Sequence, residues 1–121
     1  MNRLFEASLG SARMEGGALL ASAWVPPADV YETADRFVIQ IELPGVDEDN
    51  VVIQIEADQV SVKGERRLKP GTRPECFHRM ERSYGAFSRT FQLTEEVDPD
   101  AATATFRDGL LHLEARKARR R

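Results

Sequence analysis

The chain has 121 residues, 41% of them hydrophobic and 31% charged, with a formal net charge of −3 and one cysteine. Such a length suits one domain with a short segment at an end. It holds no apolar run near the roughly 18–20 residues of a membrane span. The lone Cys76 excludes an internal disulfide and fits a reducing cytosol. Arg3 is followed by Glu6 and Glu15 rather than by a continuous apolar core, so no secretory signal is expected. The expected location is cytoplasmic, with no membrane partner.

The charge is segregated. From Asp29 to Asp58 there are nine acidic residues and one basic, whereas Lys63 to Arg89 holds eight basic and three acidic. The last eight residues carry five basic and one acidic. Blocks of opposite sign inside one domain predict attraction, within a chain or between two copies, unless they are merely two solvated faces.

Residues 1–24 mix apolar positions with Gly, Ser and Ala, and Gly16-Gly17 opposes a continuous helix. They are expected to form a flexible N-terminal arm, with Leu4, Phe5, Leu9, Leu19, Leu20 and Trp24 as its exposed apolar contacts. Pro26-Pro27 forces an extended backbone and opens the domain, expected over residues 25–117. A short edge strand follows at Val30-Tyr31. Phe37, Ile39, Ile41 and Leu43 then share one face of a strand that Pro44-Gly45 ends. Val51, Ile53 and Ile55 share a face of the next, and Ala57-Asp58 turns tightly into Gln59–Gly64. Short alternating strands with a turn signal every roughly 8–12 residues predict an all-β, two-sheet antiparallel sandwich of immunoglobulin-like kind.

Glu65 to Arg82 breaks that rhythm. It is basic, contains Pro70-Gly71 and Pro74, and is too long for an ordinary hairpin loop, which points to a functional or partner-bound segment. Its end, Cys76 to Met80, is a candidate extra strand. Beyond it Phe87, Arg89, Phe91 and Leu93 alternate on one face, so Arg89 needs a carboxylate, carbonyls or an interface. Asp108-Gly109 is a strong two-residue hairpin signal. Its first arm puts Ala102, Ala104 and Phe106 on one face, and the alanines leave shallow sockets.

Little chemistry is available. No phosphate-binding Gly-x4-Gly-Lys loop is present, so neither ATP hydrolysis nor any cofactor is expected. Cys76, His78 and His112 do not make a metal site, and a resting thiol is favoured for Cys76 over a redox handle. The basic tail, residues 118–121 after Arg116-Lys117, lacks aromatic stacking residues in a chain that is acidic overall. It reads as solubilising rather than nucleic-acid binding.

Five stretches in order resemble the small heat-shock proteins, the alpha-crystallin family, of bacterial or plant type. They are Pro27-Ala28-Asp29-Val30-Tyr31-Glu32, Glu42-Leu43-Pro44-Gly45-Val46, Val62-Lys63-Gly64-Glu65-Arg66, Glu81 to Arg89, and Ala104-Thr105-Phe106-Arg107-Asp108-Gly109-Leu110-Leu111. The resemblance implies an alpha-crystallin domain and a homodimer in which the long loop, with Arg73, Phe77, His78 and Arg79, adds a strand beside a neighbour's opening strand. Asp29, Val30, Tyr31 and Glu32 would be the acceptor, and Arg89 an interface arginine. It also implies a groove walled by Val51, Ile53 and Ile55 and floored by Ala102 and Ala104, which in the family receives an Ile-x-Ile motif from a C-terminal tail.

Here Arg116-Lys117 stands where a Pro-Lys pair is usual, and no apolar anchor follows Leu113. A dimer or smaller assembly is therefore expected, with the groove filled by the arm, by clients or by a second protein's tail. The function implied is that of an ATP-independent holdase, not an enzyme, which binds partly unfolded proteins in the stress response. The alternative is a co-chaperone-like interaction module with one dedicated folded partner.

Overall fold

In a computed structural model, residues 23–118 are described. Among these residues eight strands form two four-stranded sheets. They are β1 (Ala23–Trp24), β2 (Ala28–Glu32), β3 (Arg36–Glu42), β4 (Val52–Glu56), β5 (Gln59–Arg66), β6 (Gly85–Gln92), β7 (Val97–Arg107) and β8 (Leu110–Lys117). One sheet runs β1-β6-β5-β4 and the other β2-β3-β8-β7. Short 3-10 turns occupy Glu48–Asn50 and Pro74–Cys76.

Alternation builds the core. Phe37, Ile39, Ile41 and Leu43, with Leu111, Leu113 and Ala115 beside them on β8, are buried and face Val60, Val62, Phe87, Phe91 and Leu93 in one continuous cluster. Full burial of each large side chain contributes about 1.5–3 kcal/mol, so this layer dominates the stability. The hairpin between β7 and β8 has the expected geometry, with φ 52° at Asp108 and 79° at Gly109. Its tip docks onto the end of β3, where the Leu43 N–H donates to the Gly109 carbonyl at 2.6 Å. A Cβ on Gly109 would lie 3.0 Å from Pro44 Cα, so the turn needs glycine for both its φ and its closeness.

The structure corrects three expectations. Trp24 is not part of a free arm. It pairs through β1 with β6, with Trp24 opposite Phe87, and that pairing is parallel in an otherwise antiparallel fold. The indole N–H donates to the Gly85 carbonyl at 2.9 Å, and the ring packs edge-on against Phe87 at 5.4 Å. An indole with a partner for its N–H and an aromatic neighbour gains more by docking than by facing solvent. The sandwich therefore begins at residue 23, before the prolines. Second, Cys76 to Met80 is not a strand within this chain: Pro74–Cys76 is a 3-10 turn, and Phe77 to Met80 is irregular. Third, Val51 ends the turn at Glu48–Asn50 and only Val52–Glu56 is strand. Leu4, Phe5, Leu9, Leu19 and Leu20, with residues 119–121, lie outside the described residues.

At Gly64 the β5 backbone passes close against the ring of Phe87 and the carbonyl of Asn50. A Cβ there would lie 2.7 Å from the Asn50 carbonyl oxygen and 2.8 Å from Phe87 Cζ, and neither a backbone oxygen nor a buried ring can retreat freely. Gly64→Ala is expected to cost about 1–3 kcal/mol, as overpacking does. The check is a lower urea midpoint at unchanged slope.

Candidate functional site

A sandwich of two open sheets has edges, and edge strands carry unpaired N–H and C=O groups. β4 and β7 are edge strands of different sheets and lie on the same side of the core. Between them runs a cleft of about 130 Å³ lined by Val51, Ile53, Ala104, Phe106 and Leu111, with Glu48 and Thr105 at its rim. The hairpin register explains the lining: Ala104 stands opposite Leu113 and Phe106 opposite Leu111, so all four project toward the core side. Ala104 is exposed there because a methyl group does not reach across the gap.

Three of the five predicted groove residues, Val51, Ile53 and Ala104, line this cleft together. Ile55 and Ala102 do not; each is partly buried and packs against the core. Sequence reasoning missed Phe106, Leu111 and Glu48. The first two follow from carrying the Asp108-Gly109 register along both arms, whereas Glu48 is brought in by a turn that alternation does not describe.

The other open edge is β2. Asp29 to Glu32 are all exposed, Val30 at 44% and Tyr31 at 50%. The long loop does not reach this edge within one chain. Its backbone hydrogen bonds are local, from Thr72 to Lys69, Cys76 to Arg73 and Phe77 to Pro74. The acidic block does meet the basic C-terminal block, as in Asp35–Arg116 at 3.3 Å, whereas the loop's arginines pair locally. Arg73 lies 3.8 Å from Glu75 and Arg79 lies 3.2 Å from Glu81, each pairing with an acid two residues on. Glu32 pairs with Lys117 at 2.7 Å. Phe77 is half-buried and His78 exposed.

Arg89 does lie on the apolar face and finds a carbonyl. It donates to Pro26 O at 2.8 Å and stacks over the Phe91 ring at 4.9 Å. Those contacts give the guanidinium one carbonyl and one ring inside its own chain. Cys76 is exposed. Among the described residues no group of three or more His, Cys, Asp or Glu could hold a metal ion. No helix among them is long and apolar enough to cross a membrane.

On the outer face of β3 and β8, four side chains form a connected network. Gln40 Nε2 lies 3.1 Å from His112 Nδ1, His112 Nε2 lies 2.9 Å from Glu114 Oε2, and Arg36 donates to Glu114 Oε1 at 2.7 Å. A neutral His112 carrying its proton on Nε2 satisfies every contact, accepting from Gln40 and donating to Glu114. The His112 hydrogen bond, then that of Arg36, holds the Glu114 carboxyl below its ordinary value of 4.5. Lys117 is held up by its hydrogen bond to Glu32, with a further contribution from Glu95.

The profile of the Hsp20/alpha crystallin family matches residues 29–121. The chain belongs to this family. It is 41% identical over 91 residues to spore protein SP21 of Stigmatella aurantiaca, covering 75% of this chain and 54% of that protein. The chain thus spans about half the length of the curated relatives it matches. Among solved structures, hspA from Xanthomonas axonopodis superposes with a TM-score of 0.69 at 38% identity, covering 78% of this chain and 94% of that one. Heat shock protein 16.0 from Schizosaccharomyces pombe gives 0.72 at 29% identity, covering 78% and 87%. The two-sheet sandwich is therefore an alpha-crystallin domain, and the strands that flank its cleft and its open edge all lie in the shared region.

The Glu114 network has a measurable consequence in acid. A carboxyl whose folded pKa is depressed stabilises the fold above 4.5, and that stabilisation is lost as pH falls through the folded value. Glu114→Gln should melt lower than the parent at neutral pH, and the gap should close on acidification. Melting curves across the acid range test this, and a constant gap would contradict it.

Proposed function

We propose that this small heat-shock protein is an ATP-independent holdase that binds partly unfolded proteins through apolar surface and limits their aggregation. The observation that carries the reading is the cleft beside β4 and β7. It combines an apolar lining with the open edge of β4, so a bound segment gains both apolar burial, at roughly 25 cal/mol per Å², and backbone pairing. Neither term depends on the client's side-chain identity beyond its being apolar, so specificity is loose. Charged flanks keep the complex in solution. Leu4, Phe5, Leu9, Leu19 and Leu20 of the arm supply further apolar contact in this reading. No step of it is catalytic, and the lone exposed thiol of Cys76 suits action in the cytoplasm.

We further infer a homodimer in which the loop of one copy, carrying Arg73, Phe77, His78 and Arg79, lies along the β2 edge of the other at Asp29 to Glu32. The support is that β2 is an exposed edge and that the loop's backbone has only local partners within one chain. Arg89, held by Pro26 O just before β2, would steady the acceptor rather than bridge the interface.

Holdase activity is tested with several unrelated heat-destabilised proteins and no nucleotide. Light scattering should fall at equal mass ratio for most of them. Ala104→Trp fills the cleft and should weaken that protection several-fold at unchanged solution mass. No protection of any client by the parent chain would sink the reading in favour of a module with one dedicated partner. The dimer has its own test: deleting Leu68 to Cys76 should halve the mass seen by light scattering, and an unchanged mass would exclude loop exchange.

A further inference from the structure

A second cleft, of about 330 Å³, opens where the C-terminal end of β5 meets the Pro44-Gly45 turn and the long loop. Its charged lining residues are Arg66, Arg67, Lys69 and Arg82, and no carboxylate lines it. Arg67 has an acid partner, Glu65 at 3.0 Å. Among the described residues Arg66 and Arg82 have none.

Arg66 is the unusual member, only 6% exposed. Its Nη1 donates to Ser83 O at 2.6 Å, and its guanidinium lies 4.1 Å over the Trp24 ring. Its Nε–H is buried with no acceptor among the described residues. A buried charge with an idle donor is costly, and structures rarely keep one without a partner. Burial, with Arg82 adding to it, pushes the Arg66 pKa below the usual guanidinium value.

Gly45 completes the arrangement. A Cβ on it would lie 2.9 Å from Arg82 Nη2 and 3.8 Å from Arg66 Nε. Both guanidiniums therefore lie against Gly45, Arg82 filling the side where the glycine has no side chain, and Gly45 is held there at φ 83°. Leu68, Phe77 and Tyr84 wall the remainder, and Arg82 stands over the Tyr84 ring at 5.7 Å.

We propose that this cleft binds a small oxyanion of the phosphate class, with Arg66 and Arg82 as its anchoring residues. The choice of phosphate follows from geometry. A carboxylate presents one planar edge, which a single guanidinium fork satisfies. A tetrahedral dianion offers oxygens on several sides to donors arriving from different elements, here β5, the loop and the segment before β6. The lining's excess of positive charge matches a dianion better than a single negative charge. Occupation would tie the long loop to the end of β5.

Trp24, the chain's one tryptophan, reports on the site because Arg66 stacks on it. The full chain is titrated with inorganic phosphate, and sodium chloride at matched ionic strength serves as the control. Phosphate should give a saturable change in Trp24 emission and raise the melting temperature, while chloride does neither. In Arg82→Gln, an exposed position whose loss leaves the core intact, the affinity should fall at least about tenfold, as losing one charge-assisted hydrogen bond implies. The proposal is overturned if emission and melting temperature respond to phosphate no more than to chloride. It is equally overturned if Arg82→Gln responds like the parent.

Discussion

The fold rests on a single shared apolar layer between two sheets that never close on each other. Phe37, Ile39, Ile41 and Leu43 on one side, with Val60, Val62, Phe87 and Phe91 on the other, fill it. A closed barrel would leave no edges; a sandwich of this kind leaves four. Two are blunted. β1 is only two residues long, and β7 carries Pro99 and a register shift between Val97 and Ala102. β2 stays open along Asp29 to Glu32, and β4 stays open beside the cleft. The places where this protein can gain a strand are those that the described residues leave uncovered.

Two arginines, one buried and one partly buried, hold the start of the domain onto the sandwich. Arg89 reaches the Pro26 carbonyl, and Arg66 reaches Ser83 O while stacking on Trp24. Neither uses a carboxylate. For Arg89 the carbonyl and the Phe91 ring suffice. For Arg66 they leave Nε–H idle, so two arginines with similar neighbours differ in one unmet donor. That difference singles out one of them as a ligand group.

Strand positions, the sandwich and the Asp108-Gly109 turn were legible because each depends on local periodicity or local φ. Val51, Ile53 and Ala104 were legible for the same reason. What alternation cannot say is which non-adjacent segments stack. Trp24 looked free because its partners Gly85, Phe87 and Arg66 lie more than forty positions away. Charge was legible in part. The acidic block meets the basic C-terminal block through Glu32–Lys117 and Asp35–Arg116, whereas the loop's arginines pair with Glu75 and Glu81 beside them. Nearby acids reach first, because a short chain separation costs little entropy to close.

Those local pairs bear on how loop exchange would work. Arg73, Glu75, Arg79 and Glu81 are all mostly exposed, and exposed pairs are worth about 0–1 kcal/mol each. Releasing them opposes exchange only weakly, and re-forming them against Asp29 would favour it no more strongly. Charge complementarity can therefore steer the loop toward β2 and set its register, but it cannot hold it there. The holding must come from the backbone of β2 and from apolar contact by Val30 and Tyr31. Salt should accordingly slow association between copies far more than it weakens the finished pair.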